Sequence, residues 1–151
     1  MNATIQLLQD IQRNAHTGEQ AVEQLLGRAR GEELRRELER EHNQYALFAQ
    51  EADALLRRAG GEPEPAGLLA QAGMWAGIEM RTLTDATDSH LAELTLQGAT
   101  MGIVETTKAR NSFDGASEEA RTLAGRFVER QQDAVERLKP FLKNAAAVQG
   151  R

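Results

Sequence analysis

The chain has 151 residues, 40% of them hydrophobic and 27% charged, no cysteine, and a formal net charge of -5. That length and mixture fit one globular domain with its own core, and the missing thiols exclude cysteine catalysis, thiolate metal sites and disulfides. The acidic balance, with 15 arginines and 3 lysines interleaved among glutamates, argues against a nucleic-acid partner, which needs a concentrated basic face.

No apolar run approaches the roughly 20 residues that cross a bilayer, and the opening MNATIQLLQDIQRN has neither a basic start nor a long apolar stretch. The expectation is a cytoplasmic protein without a membrane partner. Ile5, Leu8, Gln12, Ala15, Glu19, Val22 and Leu26 then recur at steps of three and four, which predicts a first helix over about residues 3–27 with that line inward. Gly27 and Gly31 suit a short link. Glu32 and Glu33 place negative charge at the start of a second helix, about 31–59. Its stripe is Leu34, Leu38, Glu41, Tyr45, Phe48, Ala52, Leu55 and Ala59, and Gly60-Gly61 ends it.

The run GGEPEPAG marks the one strong break, and Pro65 can open a short helix over about 65–81 that carries Leu68, Leu69, Met74, Trp75 and Ile78. A helix unbroken from Pro65 to Arg110 would be roughly 70 Å long at about 1.5 Å per residue, against partners of roughly 40 Å. The capping residues of TLTDATDS supply the interruption, so a long helix is predicted over about 85–111. Gly115 and Ser117 restart the chain. The last helix, about 116–142, lines up Leu123, Ala124, Phe127, Gln131, Ala134, Val135, Leu138 and Leu142, with Pro140 bending its final turn. The reading is an all-α bundle of four long helices with a short extra helix between the second and third long ones. Short links at 28–31 and 112–116 make the first two and the last two long helices antiparallel hairpins, and the middle segment can carry the chain back along the bundle as a single crossover. An up-down bundle with the short helix across one end is the alternative.

Polar residues interrupt the stripes near their middles: Glu19, Glu41 and Gln131, with His90, Glu93, Gln97 and Glu105 as candidates on the sparsely charged helix at 85–111. Counted from the links in the crossover arrangement, Glu19, Glu41, Gln97 and Gln131 fall at nearly one height, a predicted buried polar layer. Two chemistries suit it. Glutamine amides can donate to the carboxyls and fix helix register, which is the preferred reading. Alternatively, inward carboxylates on facing helices can hold iron or manganese, ordinarily with a Glu from each of two helices and a Glu-x-x-His from each of the others. Glu19, Glu41, His42 and Glu93 are the candidate ligands. Glu39 and His42 have the Glu-x-x-His spacing, but Glu39 points off the stripe and the last helix has no histidine.

His16 falls beside the first stripe, and His90 with Glu93 forms an i, i+3 pair that suits a hydrogen bond near a helix start. Gly98 and Gly102 permit close backbone approach. Met74, Trp75 and Met80 are candidates for an interface. The sequence holds no nucleophile elbow, Walker loop, dinucleotide fingerprint or HExxH.

At TLTDATDSHLAELTLQGATMGIVETTK (82–108) and TGEQAVEQLL (17–26), and in the Gly-Gly/Pro linker and ERLKPFL ending, the chain resembles uncharacterised bacterial proteins of the ferritin-like superfamily. The resemblance implies a ferritin-like four-helix bundle of bacterial cytosolic origin, with superfamily metal positions matched at Glu19, Glu41 and His42. The missing Glu-x-x-His on the last helix departs from the iron-handling pattern. The functional expectation is a non-catalytic bundle acting as a homo-oligomer or through a protein partner, with iron or manganese binding as the alternative.

Overall fold

Asn2 opens the first helix: its side-chain oxygen accepts from the Thr4 and Ile5 amides (2.8 and 3.4 Å), donors that a helix start leaves without intrahelical partners. The computed structural model describes residues 2–63, 77–82 and 85–144, and all regular structure among them is helical. Helix α1 spans Ala3–Leu26, α2 Glu32–Arg58, α3 Asp88–Ser112 and α4 Glu118–Leu138, with a 3-10 turn at Lys139–Phe141. Residues 77–82 are also helical. Of the short helix expected over 65–81, only this last part is described; Met74 and Trp75 lie outside the described residues.

The ends follow local chemistry. Gly60, at φ 82°, takes the left-handed conformation after α2, so that its amide reaches Arg57 O (3.1 Å) and the Gly61 amide reaches Leu56 O (2.8 Å). Helix α3 begins at Asp88 and not at Asp85, because the Thr87 hydroxyl caps it by accepting from the His90 amide (3.2 Å). Asp85 instead holds the turn before it by accepting from the Thr87 amide (2.9 Å). Pro140 lies in the 3-10 turn after α4, which therefore ends as an α-helix at Leu138. Gly31, at the start of α2, has no capping side chain, and Asp88 of α3 supplies one from across the bundle: its carboxylate accepts from the Arg30 and Gly31 amides (3.0 and 2.7 Å).

These contacts set the directions. The Gly31 end of the bundle holds the start of α3, whereas Thr4 at the start of α1 accepts from the Ser117 amide beside α4 (2.8 Å). Arg58 at the end of α2 donates to Glu119 (3.3 Å). Hence α1 and α4 run one way and α2 and α3 the other. Helix α1 packs on α2 and α3, and α4 packs on the same two. The chain leaves α2 at one end and enters α3 at the other, which excludes the up-down alternative. Arg28 donates to the Glu79 carboxylate (2.6 Å), fastening residues 77–82 near the end of α1.

The core is built from Leu7, Leu8, Ile11, Ala15, Val22 and Leu25 of α1, with Leu38, Tyr45, Phe48, Ala52 and Leu56 of α2. Leu91, Ala92 and Ala99 of α3 and Leu123, Phe127, Ala134 and Leu138 of α4 complete it. The inward line of α1 thus runs 8, 11, 15, 18, 22, 25, and its middle position is Gly18. A glycine has no apolar side chain to mark it as inward, so periodicity steps onto its neighbour Glu19, which is only partly buried. The Tyr45 ring of α2 occupies the missing space: a methyl group at Gly18 would overlap it. Gly18→Ala is therefore expected to destabilise by about 1–3 kcal/mol through overpacking, against the gain of up to about 1 kcal/mol that the same change brings on an open helix face. Urea denaturation measures it, and unchanged stability would show that the ring is not held there.

Candidate functional site

Between α2 and α4 lies a polar cluster at the edge of the apolar core, with Glu37 and Glu41 buried and the Arg137 side chain 32% exposed. The Arg137 guanidinium donates through Nε to Glu37 (3.0 Å) and through a terminal nitrogen to Glu41 (3.1 Å). One turn along α2 the Tyr45 hydroxyl donates to Gln131 Oε1 (2.7 Å). Glu41 is 2% exposed. Burial, followed by its hydrogen bond to and repulsion from Glu37, pushes its carboxyl from 4.5 up to about 8, although Arg137 pulls the other way. At neutral pH Glu41 is thus mainly protonated, and one guanidinium serves the pair without stranding a second negative charge. Burial, with Glu41 adding to it, also raises the Tyr45 hydroxyl, which stays neutral and donates.

A carboxyl whose folded-state pKa is raised binds its proton more tightly folded than unfolded, so its contribution is full below about 4.5 and is lost as pH rises through about 8. Stability should therefore decline across that window, and Glu41→Gln, which keeps the shape and cannot ionise, should flatten the decline. Chemical denaturation of both proteins at a series of pH values tests this; equal slopes would assign the pH dependence to other groups.

The expected polar layer is only partly assembled. Glu41 and Gln131 are buried, but they are joined by Tyr45 and Arg137 and not by each other. Gln97 is exposed, with its amide donating to Glu93 (3.4 Å), because α3 turns Thr95 and Thr106 inward instead. Threonine can take that place because its hydroxyl finds a partner there: Thr95 Oγ1 donates to Leu91 O of its own helix (2.8 Å), and Thr106 accepts from Asn14 of α1 (3.2 Å). The stripes do not include Glu37 and Arg137, since both sit beside the apolar line; the i, i+4 spacing of Glu37 and Glu41 within α2 and the opposite charge of Arg137 on α4 are the available signal.

The candidate metal ligands are dispersed. Glu19 lies 3.6 Å from His16, His42 lies 3.7 Å from Glu23, Glu93 faces His90 at 3.8 Å on the surface, and Glu41 is committed to Arg137. Among the described residues no three His, Asp or Glu side chains are grouped so that they could hold one ion. The donor set does not fit a two-metal carboxylate centre.

On the other side of Tyr45, between α1, α3 and residues 77–82, opens a cavity of about 440 Å³. Ala21, Val22, Leu25, Ile78 and Leu94 form its walls, and the Tyr45 and Phe127 rings lie at its base. Gly98 and Gly102 of the expected GxxxG spacing line it, and nothing lies within 4 Å of where a Gly98 side chain would begin. Met80 is 70% exposed, and Met101 on α3 67% exposed. No helix among the described residues is long and apolar enough to cross a membrane. No protein-family model, curated protein or solved structure matches this chain.

Proposed function

We propose that the chain is a non-catalytic ferritin-like bundle of the cytoplasm that works by self-association through the outer face of α3. The ferritin-like assignment rests on two antiparallel hairpins whose connection runs from one end of the bundle to the other. The non-catalytic assignment rests on carboxylates that are held by Arg137 or paired with histidines on separate faces, with no metal-holding group of three among the described residues.

The observation that carries the association is the exposed line Glu93, Gln97, Met101, Val104, Lys108. No charged residue occurs between Glu93 and Glu105, and two large apolar side chains of that stretch, Met101 and Val104, are 67% and 48% exposed. Methionine and valine in water at the centre, with opposite charges at the two ends, make this line complementary to itself. In an antiparallel two-fold pairing of α3 with α3 of a second copy, Glu93 meets Lys108, Gln97 meets Val104 and Met101 meets its own counterpart. Sedimentation velocity across a wide concentration range tests the pairing. Wild type should show a dimer, Lys108→Glu should weaken it at least about tenfold by placing like charges opposite, and Glu93→Lys with Lys108→Glu should restore it. A wild type that stays monomeric throughout would overturn the reading.

A further inference from the structure

From the cavity between α1, α3 and residues 77–82 we infer that the bundle also binds a small, uncharged, mainly apolar molecule without requiring self-association, although Gln97 and Met101 of the proposed pairing line also line it. Its volume of about 440 Å³ lies within the range of small-ligand pockets, roughly 300–1,000 Å³. A helix about 10 Å across would fill that space with roughly one turn, so it is too small to seat a partner helix. It is equally too large to be a packing defect, having room for roughly fourteen waters at about 30 Å³ each. The interior selects against charge: among the described residues, the ionisable side chains on its lining besides the neutral Tyr45 are Arg81 and Glu105, both exposed. The inner surface is aliphatic on the sides and aromatic at the base. Asn14 and Thr95 already spend donors on Thr106 and on the Leu91 carbonyl. A flat neutral body with a polar group only at the end facing Arg81 and Glu105 fits this chemistry.

The space is kept open by residues without side chains. Tyr45 leans into Gly18 and so leaves the cavity clear, while Gly98 and Gly77 present bare backbone to it. Filling it should be structurally easy, since leucine at Gly98 meets no atom at its base and favours the helix.

The test is fluorescence titration of the full chain with N-phenyl-1-naphthylamine, a neutral dye that brightens in apolar surroundings. Wild type should give saturable one-site binding, and the association-defective Lys108→Glu should bind the dye equally well. Gly98→Leu should lose at least tenfold in affinity while melting at or above the wild-type temperature. Ala21→Leu, on the opposite wall, should also weaken binding and stands in if Gly98→Leu does not fold. The anionic analogue 8-anilinonaphthalene-1-sulfonate should bind more weakly than the neutral dye. Absence of saturable binding to wild type, or wild-type affinity in both filled variants, would overturn the proposal. Loss of dye binding in Lys108→Glu alone would make the site a property of the dimer interface and overturn its independence.

Discussion

Arg137→Met should lower the unfolding free energy by about 3 kcal/mol at neutral pH, the cost of leaving buried carboxyls without their nearest cation, since Arg40 approaches Glu37 only at 4.0 Å. Methionine keeps most of the stem against α2, so packing changes little and the loss reports charge. Arg137 donates to both Glu37 and Glu41, which are buried at the α2–α4 contact. The loss should grow as pH is raised through about 8, where Glu41 gives up its proton, and shrink toward acid pH. Adding Glu37→Gln and Glu41→Gln to Arg137→Met should recover much of the stability, because a neutral cluster of similar volume no longer needs the guanidinium. Denaturant titrations of the three proteins at two pH values decide it. A loss below about 0.5 kcal/mol, the scale of an exposed ion pair, would show that the cluster is solvated and without structural weight.

Phe127→Ala should cost about 4 kcal/mol, toward the upper part of the usual range for a buried phenylalanine. The ring is fully buried, stands edge-on to Phe48 with centroids 5.2 Å apart and tilts against Tyr45 at 6.2 Å. Removing it opens the α4 side of the existing cavity, whose other walls are helices fixed by their own packing, so little collapse can offset the lost contacts. Phe127→Leu should cost only about 1 kcal/mol, since leucine retains most of the volume. Urea denaturation gives both values, and a Phe127→Ala loss under about 1 kcal/mol would mean that α3 and α4 close over the vacated space.

The four long helices were legible because their signals are local. Apolar spacing marks α2 and α4, Gly60-Gly61 marks the end of α2, and Ser117 with two glutamates marks the start of α4. Helix α3 lacks such a stripe. Its inward positions are Leu91, Ala92, Thr95, Ala99, Thr106 and Ala109, small or hydroxyl-bearing, while Met101 and Val104 face water, so hydrophobicity points to no single side. That reversal put Gln97 in a layer from which it is absent. The shift from Gly18 to Glu19 on α1 has a related cause: an inward glycine is defined by the Tyr45 ring from another helix, and no spacing rule within α1 contains that ring. Glu41 and Gln131 were found at their buried places because α2 and α4 have clean stripes, but the partners that neutralise them, Arg137 and Tyr45, come from contacts between helices.

In the proposed function, the acidic side chains of this bundle serve helix register and charge balance while its work is done by binding. Anaerobic Fe(II) titration of protein purified without chelator, followed by admission of oxygen, tests it most directly. The expected result is no stoichiometric uptake of iron, no stabilisation by it, and oxygen consumption no faster than in protein-free buffer. Two tightly held ions per chain with rapid oxygen uptake, abolished by Glu41→Gln, would contradict the account and make the bundle a carboxylate-bridged metal protein.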